Sequence, residues 1–193
     1  MAITVTGLSK SFGGRPVLRD FSARFEEGSV SCIFGPSGQG KTTLLHLLMG
    51  LLAPDGGAIE GIGDQRIGAV FQEDRLCETL SVLRNIRLVC RKGVPDEEIL
   101  THLQEVGLRD SAYKPAGELS GGMKRRVALV RAVIVRPDVL LLDEPFKGMD
   151  AATKADAIGY LRRRAPKATV LLVTHDREDA GQLGAAQIIE LDA

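Results

Sequence analysis

The sequence predicts an α/β fold built on a largely parallel sheet covered on both faces. Two observations carry this. Short continuous apolar runs, SVSCIF at 29–34, VLLL at 139–142 and TVLLV at 169–173, have strand length and lack the alternation of a sheet with one wet face. Stretches with helical spacing separate these runs, the pattern of strands joined by crossover helices. In chain order, residues 2–8 (AITVTGL) and 17–25 (VLRDFSARF) alternate partially and read as strands, with Phe21, Ala23 and Phe25 on one side. SVSCIF then runs into a glycine loop. KTTLLHLLMGL at 41–51 spaces its leucines as a helix does, and RIGAVF at 66–71 reads as a further short strand.

From about Asp74 to Glu118 the character turns helical. Pro95-Asp96 opens a helix whose Ile99, Leu100, Leu103 and Val106 share a face, and Gly107 stops it. A second helix is expected from about Gly121 to Val135, halted before Pro137. After VLLL come a helix near 151–164, TVLLV, a short helix near 176–182 and a strand at 187–191 (QIIEL). The whole reads as one domain over 1–193. Its core is expected at about 1–72 and 119–193, with an inserted helical subdomain at about 73–118.

Composition narrows the function. A hydrophobic fraction of 44% suffices for a buried core, and 25 basic residues balance 25 acidic ones. That balance argues against a general nucleic-acid binder, so no nucleic-acid partner is expected. A single anion pocket remains open, since it needs only a few placed groups. Cys32, Cys77 and Cys90 show no C-x-x-C spacing and read as free thiols in a reducing cytosol. The opening MAITVTGLSKSF lacks the pattern of a signal peptide. No apolar run approaches the roughly 20 residues that cross a bilayer; Arg131 interrupts Val127 to Val135. Any membrane role is expected through a partner.

Gly35-Pro36-Ser37-Gly38-Gln39-Gly40-Lys41-Thr42 matches G-x-x-x-x-G-K-[ST], with a strand before it and a helix after it. Glycines let consecutive backbone N–H groups face one oxyanion, and the helix directs its positive end to the same place. In this reading Lys41 reaches terminal phosphates, the Thr42 hydroxyl ligates magnesium and Thr43 adds a phosphate contact. The alternative is an incidental glycine-rich turn. Val139 to Leu142 then delivers Asp143 and Glu144 to the carboxyl end of a strand, where ligands of such sheets sit. Asp143 suits a metal and Glu144 suits an attacking water; an ordinary acidic loop is the bland reading. Leu119-Ser120-Gly121-Gly122-Met123 supplies a serine and two glycines at a helix start, an N-cap with exposed donors.

The order is the informative part: phosphate loop, Gln72 after a strand, LSGGM, the Asp-Glu pair, Asp150, then His175 after another strand. In that order the chain resembles the nucleotide-binding subunits of ABC transporters along essentially its whole length. The resemblance implies a P-loop NTPase core with a largely parallel sheet, an N-terminal antiparallel β arm and an inserted helical subdomain. It implies ATP and Mg2+ as ligands, with Phe12 stacking on adenine and Gln72 touching the magnesium or water. Gln72 also faces the membrane subunit in that pattern. Ser120, Gly121 and Gly122 grip the γ-phosphate of ATP held by a second copy or a paralogue. Asp150 lies at the dimer seam, and His175 contacts the γ-phosphate. Implied partners are a second ATP-binding subunit, membrane permease subunits and an extracytoplasmic substrate-binding protein. The place implied is the cytoplasmic face of the membrane.

Met123 stands where glutamine is usual, as it often does in importers of the nitrate, sulfonate and taurine type, and VFQEDRLCETLSVLRNI is similar to that group. Lys147 departs from the small residues usual before Asp150. An importer motor is the leading reading. An exporter motor, a non-transport ABC ATPase and a regulatory module without turnover stay open. The interval from Lys41 to Ser120 has no sustained heptads, which counts against chromosome-maintaining relatives.

Overall fold

Two sheets organise the chain, whose computed structural model describes residues 2–36 and 38–191. The first is antiparallel, in the order β2-β1-β4, from β1 (Ile3–Phe12), β2 (Arg15–Phe25) and β4 (Gly56–Glu60). The second is parallel, in the order β5-β6-β7-β3-β8. Its strands are β3 (Val30–Phe34), β5 (Ile67–Val70), β6 (Val139–Asp143), β7 (Thr169–Thr174) and β8 (Gln187–Glu190). Among the described residues six α-helices accompany them: α1 (Lys41–Leu48), α2 (Val82–Arg87), α3 (Asp96–Glu105), α4 (Gly121–Ile134), α5 (Ala151–Arg164) and α6 (Arg177–Leu183).

Strand periodicity explains the two-sided burial. Cys32, Leu140, Leu142, Val170 and Leu172 point into one apolar cluster, shared with Val127 and Val130 of α4 and Ala157 and Leu161 of α5. Their neighbours Ile33, Leu141, Leu171 and Val173 point the other way. That side is covered by Leu44, Leu45 and Leu48 of α1 and by Ile3, Val5, Leu8 and Phe25 of the antiparallel sheet. Every residue of β6 is buried, which is why its sequence shows no alternation. Contact is closest where β5 meets α4: a Cβ on Gly68 would lie 2.1 Å from the carbonyl oxygen of Ala132.

The expected elements are present, with two differences. β4 was not anticipated from its sequence, GGAIE, which has neither alternation nor β-branched enrichment beyond Ile59. It is a strand because β1 offers it a partner edge, pairing Val5 with Ile59 and Thr6 with Ala58. The helical stretch expected from Asp74 begins only at Val82. Before it, the buried Asn85 side chain accepts from the Cys77 N–H and donates to the carbonyls of Cys77, Leu80 and Ser81. These bonds satisfy an irregular backbone that a helix would otherwise have satisfied. Among the described residues no helix is long and apolar enough to cross a membrane.

Candidate active site

β3 ends at Phe34 and the chain turns through Gly35 and Gly40 into α1. Gly40 has φ +84°, and a Cβ there would stand 2.7 Å from the Val17 carbonyl oxygen, so the turn accepts only glycine. Gly35 and Gly38 also have positive φ, at 154° and 89°. Ser37 falls outside the described residues. Lys41, buried, donates from Nζ to the carbonyl oxygens of Gly35 and Pro36, both at 2.6 Å. An ammonium held over the loop's own oxygens is placed to exchange them for an anion entering from outside.

Lys41, Thr42 and Thr43 line a cleft of about 260 Å³ together with Val17, Gly38, Gly40, Gln72, Asp143 and Glu144. The structure thus gathers residues from four separate stretches of sequence. The Thr42 hydroxyl donates to Asp143 Oδ2 at 2.6 Å. Burial raises the Asp143 carboxyl above the usual carboxylate range, and the Thr42 hydroxyl partly offsets that rise. A buried carboxylate kept short of partners and touching a hydroxyl is a hard-oxygen donor pair that fits a magnesium ion. Among the described residues no cluster of three or more His, Cys, Asp or Glu could hold a metal. The remaining ligands would therefore come from Gln72, water and the nucleotide itself.

Glu144 leaves β6 with φ +49°, a left-handed conformation rare for a residue with a Cβ. Its N–H donates to the Val173 carbonyl at 2.9 Å, which ties the turn to β7. Its carboxylate Oε1 lies 2.7 Å from His175 Nδ1. Glu144 and His175 are therefore brought together from the ends of adjacent strands. His175 is largely exposed, at 66% of its side chain. His46 half-buries against Phe71, and His102 is buried against the Tyr160 hydroxyl at 2.7 Å, so both serve packing.

The other expected residues form a separate site. Ser120 caps α4 by accepting from the Met123 N–H, and Asp150 caps α5 by accepting from the N–H and hydroxyl of Thr153, each at 2.9 Å. Those two bonds hold the Asp150 carboxyl below its ordinary value. Ser120, Gly121, Gly122 and Asp150 line a hollow of about 430 Å³ with Arg126, Lys147 and Thr153. None of these lines the phosphate-loop cleft. Gly122 packs against the Gly148 carbonyl, 3.1 Å from where its Cβ would be. Phe12 lies at the tip of the β1–β2 hairpin, 46% exposed and outside the cleft lining.

Sequence reasoning missed the residues that hold the Gln72 loop. Arg125, buried on α4, donates to the carbonyls of Phe71 and Gln72 and faces Asp74 Oδ1 at 3.1 Å. Arg131, one and a half turns on, donates to the carbonyls of Asp74 and Arg75 at 2.7 and 2.8 Å. α4 and the Gln72 loop are thereby one hydrogen-bonded unit. The basic run at 124–126 was visible, but the loop carbonyls that Arg125 binds lie more than fifty positions away.

A profile of ABC transporters matches residues 18–147. The chain belongs to the ABC transporter family. It is similar to the aliphatic sulfonates import ATP-binding protein of Nocardia farcinica, 42% identical over all of this chain and 78% of that protein. The corresponding Burkholderia lata protein is 41% identical over 95% of this chain and 59% of its own length. The sulfate/thiosulfate import ATP-binding protein of Synechococcus elongatus is 39% identical over the full chain and 60% of its length. The chain thus spans about 60% of the length of the first relatives it matches. Among solved structures, a dimeric bacterial ABC transporter cassette superposes with a TM-score of 0.88 at 28% identity, covering 98% of this chain and 94% of that one. A second structure of that cassette, in a post-hydrolysis state with ADP and Pi bound, gives a TM-score of 0.87 at 26% identity.

Proposed function

We propose that this ABC transporter chain binds MgATP and hydrolyses it as the motor of an importer, at the interface of a nucleotide-sandwich dimer. One observation supports the reading above all. The phosphate-loop cleft and the Ser120–Gly122 hollow lie apart on one chain, each lined by half of the polar groups that phosphoryl transfer needs. A second copy or paralogue brings its hollow to the first copy's cleft, and ATP lies between them.

In that arrangement Lys41 turns from the Gly35 and Pro36 carbonyls to the terminal phosphates, and the N–H groups of the glycine loop face the same oxygens. Thr42, Asp143 and Gln72 would hold the Mg2+, which neutralises phosphate charge when bound. Glu144 accepts a proton from, or orients, the attacking water, and His175, beside Glu144, contacts the γ-phosphate. Phe12 offers its ring face to adenine. Asp150 and the Ser120 cap of the opposite copy complete the seam. Hydrolysis removes the bridging phosphate and lets the halves part.

Import is supported by the names of the relatives, which also favour a small sulfur oxyanion as cargo. The permease is proposed to dock near residues 72–88, on a helical subdomain at about 73–118, placing the chain at the inner face of the membrane beside a substrate-binding protein outside. The test is Glu144→Gln with MgATP in light scattering. A stable ATP-loaded dimer is expected. A strictly monomeric species that keeps ATP would reduce the chain to a nucleotide binder.

A further inference from the structure

Lys154 lies on α5, one turn beyond Asp150, to whose carbonyl its N–H donates at 2.9 Å. Its ammonium faces two carboxylates of the segment after β7: Asp179 at 2.6 Å and Asp176 at 3.0 Å. Only 17% of the Lys154 side chain is exposed, and Asp179 is almost wholly buried. Asp179 also accepts from the Thr174 hydroxyl at 3.1 Å, and that hydroxyl accepts from the Asp176 N–H at 3.1 Å. Thr174, Asp176 and Asp179 thus form a closed polar ring with Lys154 as its cation, and His175 lies in the chain between Thr174 and Asp176.

His175 itself has little packing to fix it. Its position relative to Glu144 is set by its backbone, hence by the ring. Without the ammonium, Asp176 and Asp179 would face each other near a buried position, and mutual repulsion would open the turn. The Asp176 carboxyl is held below its ordinary value, first by its hydrogen bond to Lys154.

We infer that Lys154 is a positioning residue for hydrolysis: it ties the helix that begins at the dimer seam to the turn that carries His175, and so sets the distance from His175 to Glu144. This rests on the roles proposed above for Glu144 and His175. Closing the seam on Asp150 would move α5, and the Lys154 pairs would carry that movement to His175 within the same copy. The seam and the hydrolytic pair would then be joined by a side chain that touches neither substrate nor metal.

The experiment compares Lys154→Ala, Lys154→Arg, His175→Ala and the double alanine variant by steady-state MgATP hydrolysis and fluorescent-nucleotide binding. For Lys154→Ala, kcat should fall by about tenfold to a hundredfold, the scale of a small misplacement at a reacting centre. Nucleotide affinity should change by less than about twofold, because the phosphate-loop cleft is untouched. Arginine should restore most of the rate. In the His175→Ala background, Lys154→Ala should cause no further loss, since its effect passes through His175. Full multiplication of the two losses, or an unchanged kcat in Lys154→Ala while His175→Ala is impaired, would overturn the inference. An unimpaired His175→Ala would instead remove the role given to His175. Where the alanine variant melts early, Lys154→Met keeps the packed stem and decides by the same criteria.

Discussion

Gly68→Ala tests whether the α4–β5 contact sets the position of α4. The added Cβ would stand 2.1 Å from the Ala132 carbonyl oxygen and 3.0 Å from Leu140 Cδ2. Ordinary contact begins near 3.4 Å, so α4 and β5 must separate by about 1 Å. The atom met is backbone in the last turn of α4, so no side-chain rotamer change relieves the clash, and separation opens gaps around Val127, Val130 and Leu140. Overpacking of this kind costs about 1–3 kcal/mol. In a chain of this size that lowers the thermal midpoint by roughly 2–12 °C, at about 2–4 °C per kcal/mol. Urea unfolding should show a lower midpoint with an unchanged slope. Because Arg125 and Arg131 bind the Gln72 loop to the same helix, the displacement should also weaken ATP-driven dimerisation of the Glu144→Gln background more than nucleotide binding. A thermal midpoint within about 1 °C of the parent would refute the reasoning, since it would mean the helix absorbs the methyl group without moving.

Two further outcomes follow from the cleft. Lys41→Ala removes two charge-assisted bonds and the only lysine among the described residues that line the cleft, so ATP affinity should fall by roughly a hundredfold in fluorescence titration; unchanged affinity would contradict the phosphate-loop assignment. Asp143→Asn keeps an oxygen for the Thr42 hydroxyl but cannot ionise. Burial raises the folded-state pKa of Asp143, so the parent loses stability relative to this variant as pH rises from the ordinary carboxylate range through the raised value. The variant should therefore melt higher than the parent at pH 7, by a margin that shrinks as pH falls through the raised value toward the ordinary carboxylate range, and should lose protection by magnesium with ATP; a margin independent of pH would exclude the assignment.

The parallel sheet and the phosphate loop were legible because both are local. Buried strands such as VLLLD announce themselves by continuous hydrophobicity, and the glycine spacing at 35–40 answers to backbone sterics alone. Family order then singled out Gln72, which lines the cleft, His175, which lies beside Glu144, and Ser120 and Asp150, which lie in the separate hollow. What stayed hidden depends on distant partners. GGAIE becomes a strand only beside β1, and the turn before α2 is irregular because Asn85 pays its hydrogen bonds. The Arg125 and Lys154 networks join residues 22 to 54 positions apart, with no periodicity to reveal them. Phe12 was legible as a ring, but its hairpin-tip location outside the cleft was not.

Glu144 sits in a backbone well that glycine would enter freely and that other side chains enter at a cost of about 1 kcal/mol. The main chain at this corner thus prefers a residue that could perform no chemistry. Holding a carboxylate there depends on the neighbouring β7 strand, through the Val173 carbonyl, so any loosening of that edge should let the corner relax toward ordinary dihedral angles and swing the acid away. On the role proposed for Glu144, hydrolysis would therefore depend on sheet integrity as much as on the residues that line the cleft.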